Sequence, residues 1–270
     1  MAHLASLLAM LVALCFAPAA LQATEARLVS IETPRGGTQA FLLLKPEKPI
    51  AAVILFAGGH GALGLKMPGT MSWGAANFLV RTREKFQAHK LMVAVIDAPS
   101  DKAAGMNAVF RMSRDHAADI GAVVAFLKKQ ADVPVWLVGT SMGTFSAASG
   151  AVHKIGAHGL VLTSTITRAK PEWAIAGSHA NGVASMALAK VVGPVLIVSH
   201  AKDACAITPA SDAPKLKSKL SVAKPVEVVI LEGGSPPLSE PCEARSQHGF
   251  LGIETEAVDA IARFVKANNG

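Results

Sequence analysis

The chain contains no tyrosine, and aromatic residues make up only 5% of its 270 positions. Lysine and arginine outnumber the acids 26 to 19, yet these basic residues are scattered and form no stripe interleaved with aromatics. Such a stripe is what stacks on bases and neutralises phosphates, so no nucleic-acid partner is expected. The net charge of +7 would favour anionic surfaces or substrates, but with its basic residues scattered it reads as a merely soluble, cationic surface. No spacing of histidine, cysteine and aspartate marks a zinc site. The glycine-rich run Phe56-Ala57-Gly58-Gly59-His60-Gly61 lacks both the G-x-G-x-x-G spacing and the ribose-binding acid about 20 residues on, which excludes a dinucleotide fingerprint. Internal repeats, low-complexity tracts and linkers are absent too. The one Pro-rich loop is Gly233-Gly234-Ser235-Pro236-Pro237, so a single domain follows.

What the first residues hold is apolar. Residues 4 to 14 carry no charge and are followed by the small-residue run Ala17-Pro18-Ala19-Ala20-Leu21-Gln22-Ala23. This is the pattern of a secretory signal peptide cleaved near Ala20 or Ala23. No lysine or arginine precedes the apolar stretch, which leaves an uncleaved anchor as the alternative; Pro18 and the many alanines argue against it. Cys15 follows Leu14 rather than the small residue that a lipid-modified N-terminus needs. An exported protein, periplasmic or secreted, with no stable membrane partner after cleavage is the expectation. About 247 residues then remain, enough for one well-filled core over residues 24–270. Only Cys205 and Cys242 survive cleavage. Two cysteines in an oxidising compartment predict a disulfide between them.

Short apolar runs alternate with longer segments of helical period, the signature of a parallel sheet covered by helices on both faces. Eight strands are expected, at residues 27–32, 39–44, 52–56, 91–96, 135–138, 159–162, 195–199 and 226–231. The link Thr33-Pro34-Arg35-Gly36-Gly37 suits a hairpin between the first two, and crossover-length segments separate the later ones. Apolar spacing of three and four predicts helices over 73–89, 113–130 and 253–265, the second capped by Ser113.

Directly after the fifth expected strand comes Gly139-Thr140-Ser141-Met142-Gly143, with a helical stretch to about Lys154 beyond it. Strand, G-x-S-x-G turn and helix together make a nucleophile elbow: the glycines permit a sharp turn, and the serine hydroxyl is held up at the strand's end.

With this elbow after its fifth strand, the whole mature chain resembles the α/β-hydrolase superfamily, in an exported serine-esterase or dienelactone-hydrolase-like branch. That resemblance implies an eight-stranded, mostly parallel sheet flanked by helices, with the catalytic acid after the seventh strand and the histidine after the eighth. Asp203, in Ser199-His200-Ala201-Lys202-Asp203, and His248, in Ser246-Gln247-His248-Gly249-Phe250, stand at those places in the order Ser, Asp, His. Asp212 is the alternative acid. Ser-His-acid chemistry pairs a hydroxyl with an imidazole that takes its proton, and with a carboxylate that fixes the imidazole's tautomer. It requires no cofactor and no metal. The resemblance also places an oxyanion hole at the turn after the third strand and at the residue after the nucleophile. Gly59 and Met142 are the candidate donors, with His60 the alternative to Gly59.

Dienelactone-hydrolase-like relatives carry cysteine where this chain has Ser141, which favours ordinary carboxylic esters or thioesters. Only about thirty residues separate the sixth and seventh strands, too few for a large cap. An open site for small soluble esters or polymer ends is expected. A peptidase or amidase on the same fold, and a non-catalytic hydrolase-like binding protein, are the other readings.

Overall fold

The computed structural model describes residues 26–270, so the leader expected at residues 1–23 lies outside the described part. Eight strands form one sheet: β1 (Arg27–Glu32), β2 (Thr38–Leu44), β3 (Ala51–Phe56), β4 (Leu91–Ile96), β5 (Val135–Thr140), β6 (Gly159–Thr163), β7 (Val195–His200) and β8 (Val226–Leu231). Their spatial order is β1-β2-β4-β3-β5-β6-β7-β8. β2 runs antiparallel to both β1 and β4, and every pairing from β4 to β8 is parallel. Parallel neighbours need crossovers, and α-helices supply all of them except the one between β6 and β7.

Successive residues of a strand point to opposite faces, so the fully buried β3, β4 and β5 feed two separate cores. Ile54 and Leu137 face one of these, where α4 (Arg114–Gln130) and α5 (Gly143–Val152) pack through Ile120, Val124, Leu127 and Phe145. Val53, Leu55 and Val138 face the other, beneath α1 (Phe78–Arg81), α2 (Arg83–Ala88) and α7 (Glu254–Ala267). Two shorter helices, α3 (Ala108–Arg111) and α6 (Ala213–Ser218), complete the first layer. Ser113 caps α4 as its sequence suggests, its hydroxyl accepting from the His116 N–H at 3.1 Å.

The helix expected over 73–89 is broken. Gly74 sits at φ +81°, Asn77 caps Leu79 through its side chain, and Thr82 leaves helical geometry between α1 and α2. Residues 73–77 are therefore a loop, and apolar spacing alone did not register a glycine and a capping asparagine inside the pattern. A two-stranded hairpin, Leu65–Lys66 with Thr70–Met71, was also not foreseen. Between β6 and β7 the chain makes only the 3-10 turns Gly182–Ser185 and Leu188–Lys190, so there is no helical cap in that connection. No helix among the described residues is long and apolar enough to cross a membrane.

Candidate active site

β5, β7 and β8 all end on the same edge of the sheet, and the loops that follow them carry Ser141, Asp203 and His248. In parallel sheets that carboxyl edge is where ligands bind. Ser141 sits at φ +52°, a left-handed conformation that few non-glycine residues adopt. The surroundings hold it there. Its N–H donates to the Thr163 carbonyl at 3.1 Å, and its carbonyl accepts from the Thr144 N–H at 2.9 Å and the Thr144 hydroxyl at 2.5 Å. Close packing explains the glycines around it. A Cβ on Gly143 would run into the Phe56 carbonyl at the end of β3, and one on Gly58 would lie 2.9 Å from the Cβ of Ser141. The elbow and the turn after β3 thus touch backbone to backbone.

His248 belongs to a 3-10 turn, Gln247–Gly249, fixed at both ends. Its N–H donates to the Ser246 hydroxyl at 3.2 Å, and its carbonyl accepts from the Ser164 hydroxyl at 2.7 Å. Nδ1 lies 3.0 Å from Oδ2 of Asp203, both side chains being buried. Asp203 accepts two further bonds, from the Cys205 N–H to Oδ1 at 3.0 Å and from the Thr208 hydroxyl to Oδ2 at 2.9 Å. With the carboxylate so committed, the imidazole is held with Nδ1 toward it. Nε2 is left buried with no hydrogen-bond partner among the described residues. Asp212, the alternative acid, turns elsewhere: it accepts from Thr167 at 2.8 Å and pairs with Arg168 at 3.0 Å, which holds its carboxyl below the usual range.

Ser141 and His248 line one cleft of about 410 Å³, walled by Trp73, Asn77 and Phe78 on one side and by Cys242, Ala244 and Arg245 on the other. Gly59 also lines it. None of the N–H groups of Gly59, His60 and Met142 finds an acceptor among the described residues. The His60 ring stacks on Trp73 with centroids 3.8 Å apart. Cys205 and Cys242 are bonded to each other, joining the loop of Asp203 to the cleft wall. Asp203, Cys205 and His248 bring their donor atoms within 4.8 Å of one another, but the Cys205 sulfur is committed to Cys242 and the other two to each other. That grouping is no metal donor set.

Several residues at this site escaped the sequence reading. Thr208 lies five positions after Asp203 with no motif to mark it. Arg81 of α1 donates to the carbonyls of Ala76, Ala244 and Gly249, at 2.6, 3.2 and 2.5 Å, and so ties the two cleft walls together. Trp73 was expected within a helix. None of these has a sequence signal: Thr208 meets Asp203 within an irregular loop, and Arg81 and Trp73 reach other loops of the chain.

No protein-family model and no curated protein sequence matches the chain. Solved structures do. The esterase Pf2001 of Pyrococcus furiosus superposes with a TM-score of 0.65 at 14% identity, covering 96% of this chain and 97% of that one. The dienelactone hydrolase of Anabaena variabilis gives 0.60 at 15%, covering 91% and 99%. A puromycin-hydrolyzing peptidase of Mycobacterium tuberculosis gives 0.64 at 13%, covering 92% of this chain and 40% of that one. Likeness across the whole sheet at such low identity is a likeness of fold, and on that ground this chain has the α/β-hydrolase fold.

Proposed function

We propose that the protein is an exported serine hydrolase that cleaves carboxylic esters or thioesters through an acyl-enzyme formed on Ser141, in a single domain spanning residues 24–270. One observation carries this reading. The buried His248 imidazole is bound through Nδ1 to a buried carboxylate, while its Nε2 has no partner among the described residues and lies beside a cleft that Ser141 shares.

In this mechanism Nε2 takes the proton of the Ser141 hydroxyl as Oγ attacks the substrate carbonyl carbon. Asp203 keeps the proton on Nδ1 and stabilises the imidazolium that forms. The carbonyl electron pair moves onto oxygen, which the N–H groups of Gly59 and Met142 hold. Collapse of the intermediate expels the alcohol or thiol, protonated by His248. Water then attacks the acyl-enzyme by the same route and releases the acid. Apart from the substrate and water, every group used in these steps is a side chain or amide of this chain.

The small cleft and the absence of a helical cap between β6 and β7 suit a small soluble ester or the end of a polymer. The Cys205–Cys242 bridge supports export to the periplasm or beyond. A peptidase or amidase activity is the second reading, since one of the similar folds belongs to a peptidase.

A fluorophosphonate probe tests the proposal. It is expected to label wild-type protein at Ser141, and Ser141→Ala is expected to lose labelling and about five to six orders of magnitude of p-nitrophenyl ester turnover while keeping its fold. Labelling at another serine would overturn the assignment, and no labelling at all would indicate a binding protein. Faster turnover of p-nitroanilides than of p-nitrophenyl esters would favour the amidase reading.

A further inference from the structure

Beneath the turn from Gly58 to Gly61 lies a guanidinium that neither the fold nor the chemistry above accounts for. Arg111, the last residue of α3, has no solvent exposure, and no carboxylate pairs with it among the described residues. Its donors go to neutral oxygens instead. Nη1 donates to the Ser146 hydroxyl at 2.8 Å, and Nη2 to the carbonyls of Gly59 at 3.1 Å and Ala57 at 3.5 Å, while Nε reaches the Met106 carbonyl at 3.4 Å. Burial lowers it to about 10, so it remains a cation at neutral pH. A buried charge without a counter-charge is unfavourable, and an apolar residue of similar volume would be the more stable filler.

Its partners supply a reason. The carbonyls of Ala57 and Gly59 belong to the two peptide units flanking the Gly58–Gly59 peptide, whose N–H is the first proposed oxyanion donor. Ser146 stands on α5 one turn beyond Met142, which supplies the second. The turn is moulded to this cation, for a Cβ on Gly61 would collide with Nη2. We propose that Arg111 is a positioning residue that locks the Gly59 N–H in place relative to the Met142 N–H, so that both converge on one oxygen. This inference rests on the acyl-enzyme reading of the site.

Two donors from different segments can share an oxyanion only if each lies about 2.7–3.1 Å from it. A three-pronged clamp that grips the turn and the elbow helix together sets that separation. Because Arg111 is hidden from the cleft, it touches no substrate, and its loss is expected in kcat rather than KM.

The experiment compares wild type with Arg111→Met, Arg111→Lys and Ser146→Ala, all checked for folding by melting temperature. Turnover of p-nitrophenyl acetate and inhibition by phenylboronic acid, which forms a tetrahedral adduct on the serine, are measured for each. Arg111→Met is expected to lose about 30- to 100-fold in kcat, the scale of misplacing an oxyanion donor, with KM within about twofold and boronate affinity weakened by a similar factor. Arg111→Lys is expected to recover part of that loss, since an ammonium keeps the charge but not the fork. Ser146→Ala is expected to lose about 3- to 10-fold in kcat through the freed helix-side anchor.

Wild-type kcat and boronate affinity in the folded variants would overturn the proposal, as would a rise in KM alone. Should Arg111→Met fail to fold, undiminished kcat in both other variants overturns it equally. Failure of the underlying reading shows separately, as wild-type protein that neither turns over esters nor labels at Ser141.

Discussion

At the scale of single residues, the acid loop and the core beneath the elbow each rest on one side chain with an unusual task. Thr208 is buried and donates to the same Asp203 oxygen that faces His248, lying 3.1 Å from Nδ1 as well. Removing it by Thr208→Val leaves a buried carboxylate one donor short. A loss of about 1–3 kcal/mol in stability and about tenfold in kcat is expected, read from denaturant unfolding and ester kinetics on the same sample. His116 is completely buried, 2.9 Å from the Ser146 hydroxyl. Burial above all, and then the charges of Arg111 and Arg35, lower it from 6.5 to about 3, so the folded chain holds it neutral. Between those values the unfolded chain binds a proton that the folded chain does not. Its contribution to stability is thus fully present above about 6.5 and falls by about 1.4 kcal/mol per pH unit as pH drops toward 3. In His116→Gln the pH dependence of unfolding free energy should be shallower by that amount between about pH 4 and 6. An unchanged slope would place the acid sensitivity in other groups.

Among the elements, the contact that sets the site is the one between α5 and the end of β3. Phe56 pairs with Gly139, and α5 starts directly against the Phe56 carbonyl at Gly143. A side chain at that point would drive the helix away from the strand and carry Ser141 and Met142 with it. Gly143→Ala is therefore expected to lower stability by about 2–4 kcal/mol and to abolish probe labelling, since the collision is with backbone and no side chain can rotate aside. Retained labelling at wild-type rate would mean that the elbow yields without moving its serine. The same logic explains why Asn77 and Gly74 interrupt what looks like a single helix: the chain there must form the cleft wall that holds Trp73 before α1 can begin.

For the molecule as a whole, the Cys205–Cys242 bond closes a loop of 37 residues that includes α6, β8 and the chain from β8 to the cleft-lining Cys242. Constraining the unfolded chain to that extent stabilises the fold by about 3–4 kcal/mol in the chain-entropy model. The bond also acts locally, because the Cys205 N–H binds Asp203 while Cys242 lines the cleft. Reduction, or the double variant Cys205→Ala with Cys242→Ala, is expected to shift the denaturant midpoint down accordingly and to lower activity below the unfolding transition. Full activity in the reduced, folded protein would limit the bridge to a stabilising role.

Periodicity and motif chemistry are local properties, and they were enough to place eight strands, the elbow and the capped α4 within a few residues. The resemblance to the α/β-hydrolases pointed to Asp203 and His248, whose loops the structure brings together because a parallel sheet puts the ends of β5, β7 and β8 on one edge whatever the intervening sequence. Only the tertiary structure shows that Asp203 meets an imidazole and that Asp212 meets Arg168. It alone showed Thr208, Arg81 and Arg111 at the site, and Trp73 in a wall rather than a helix. Hydrogen bonds across many tens of residues leave no period in a sequence. What those residues do depends on where the folded sheet carries them.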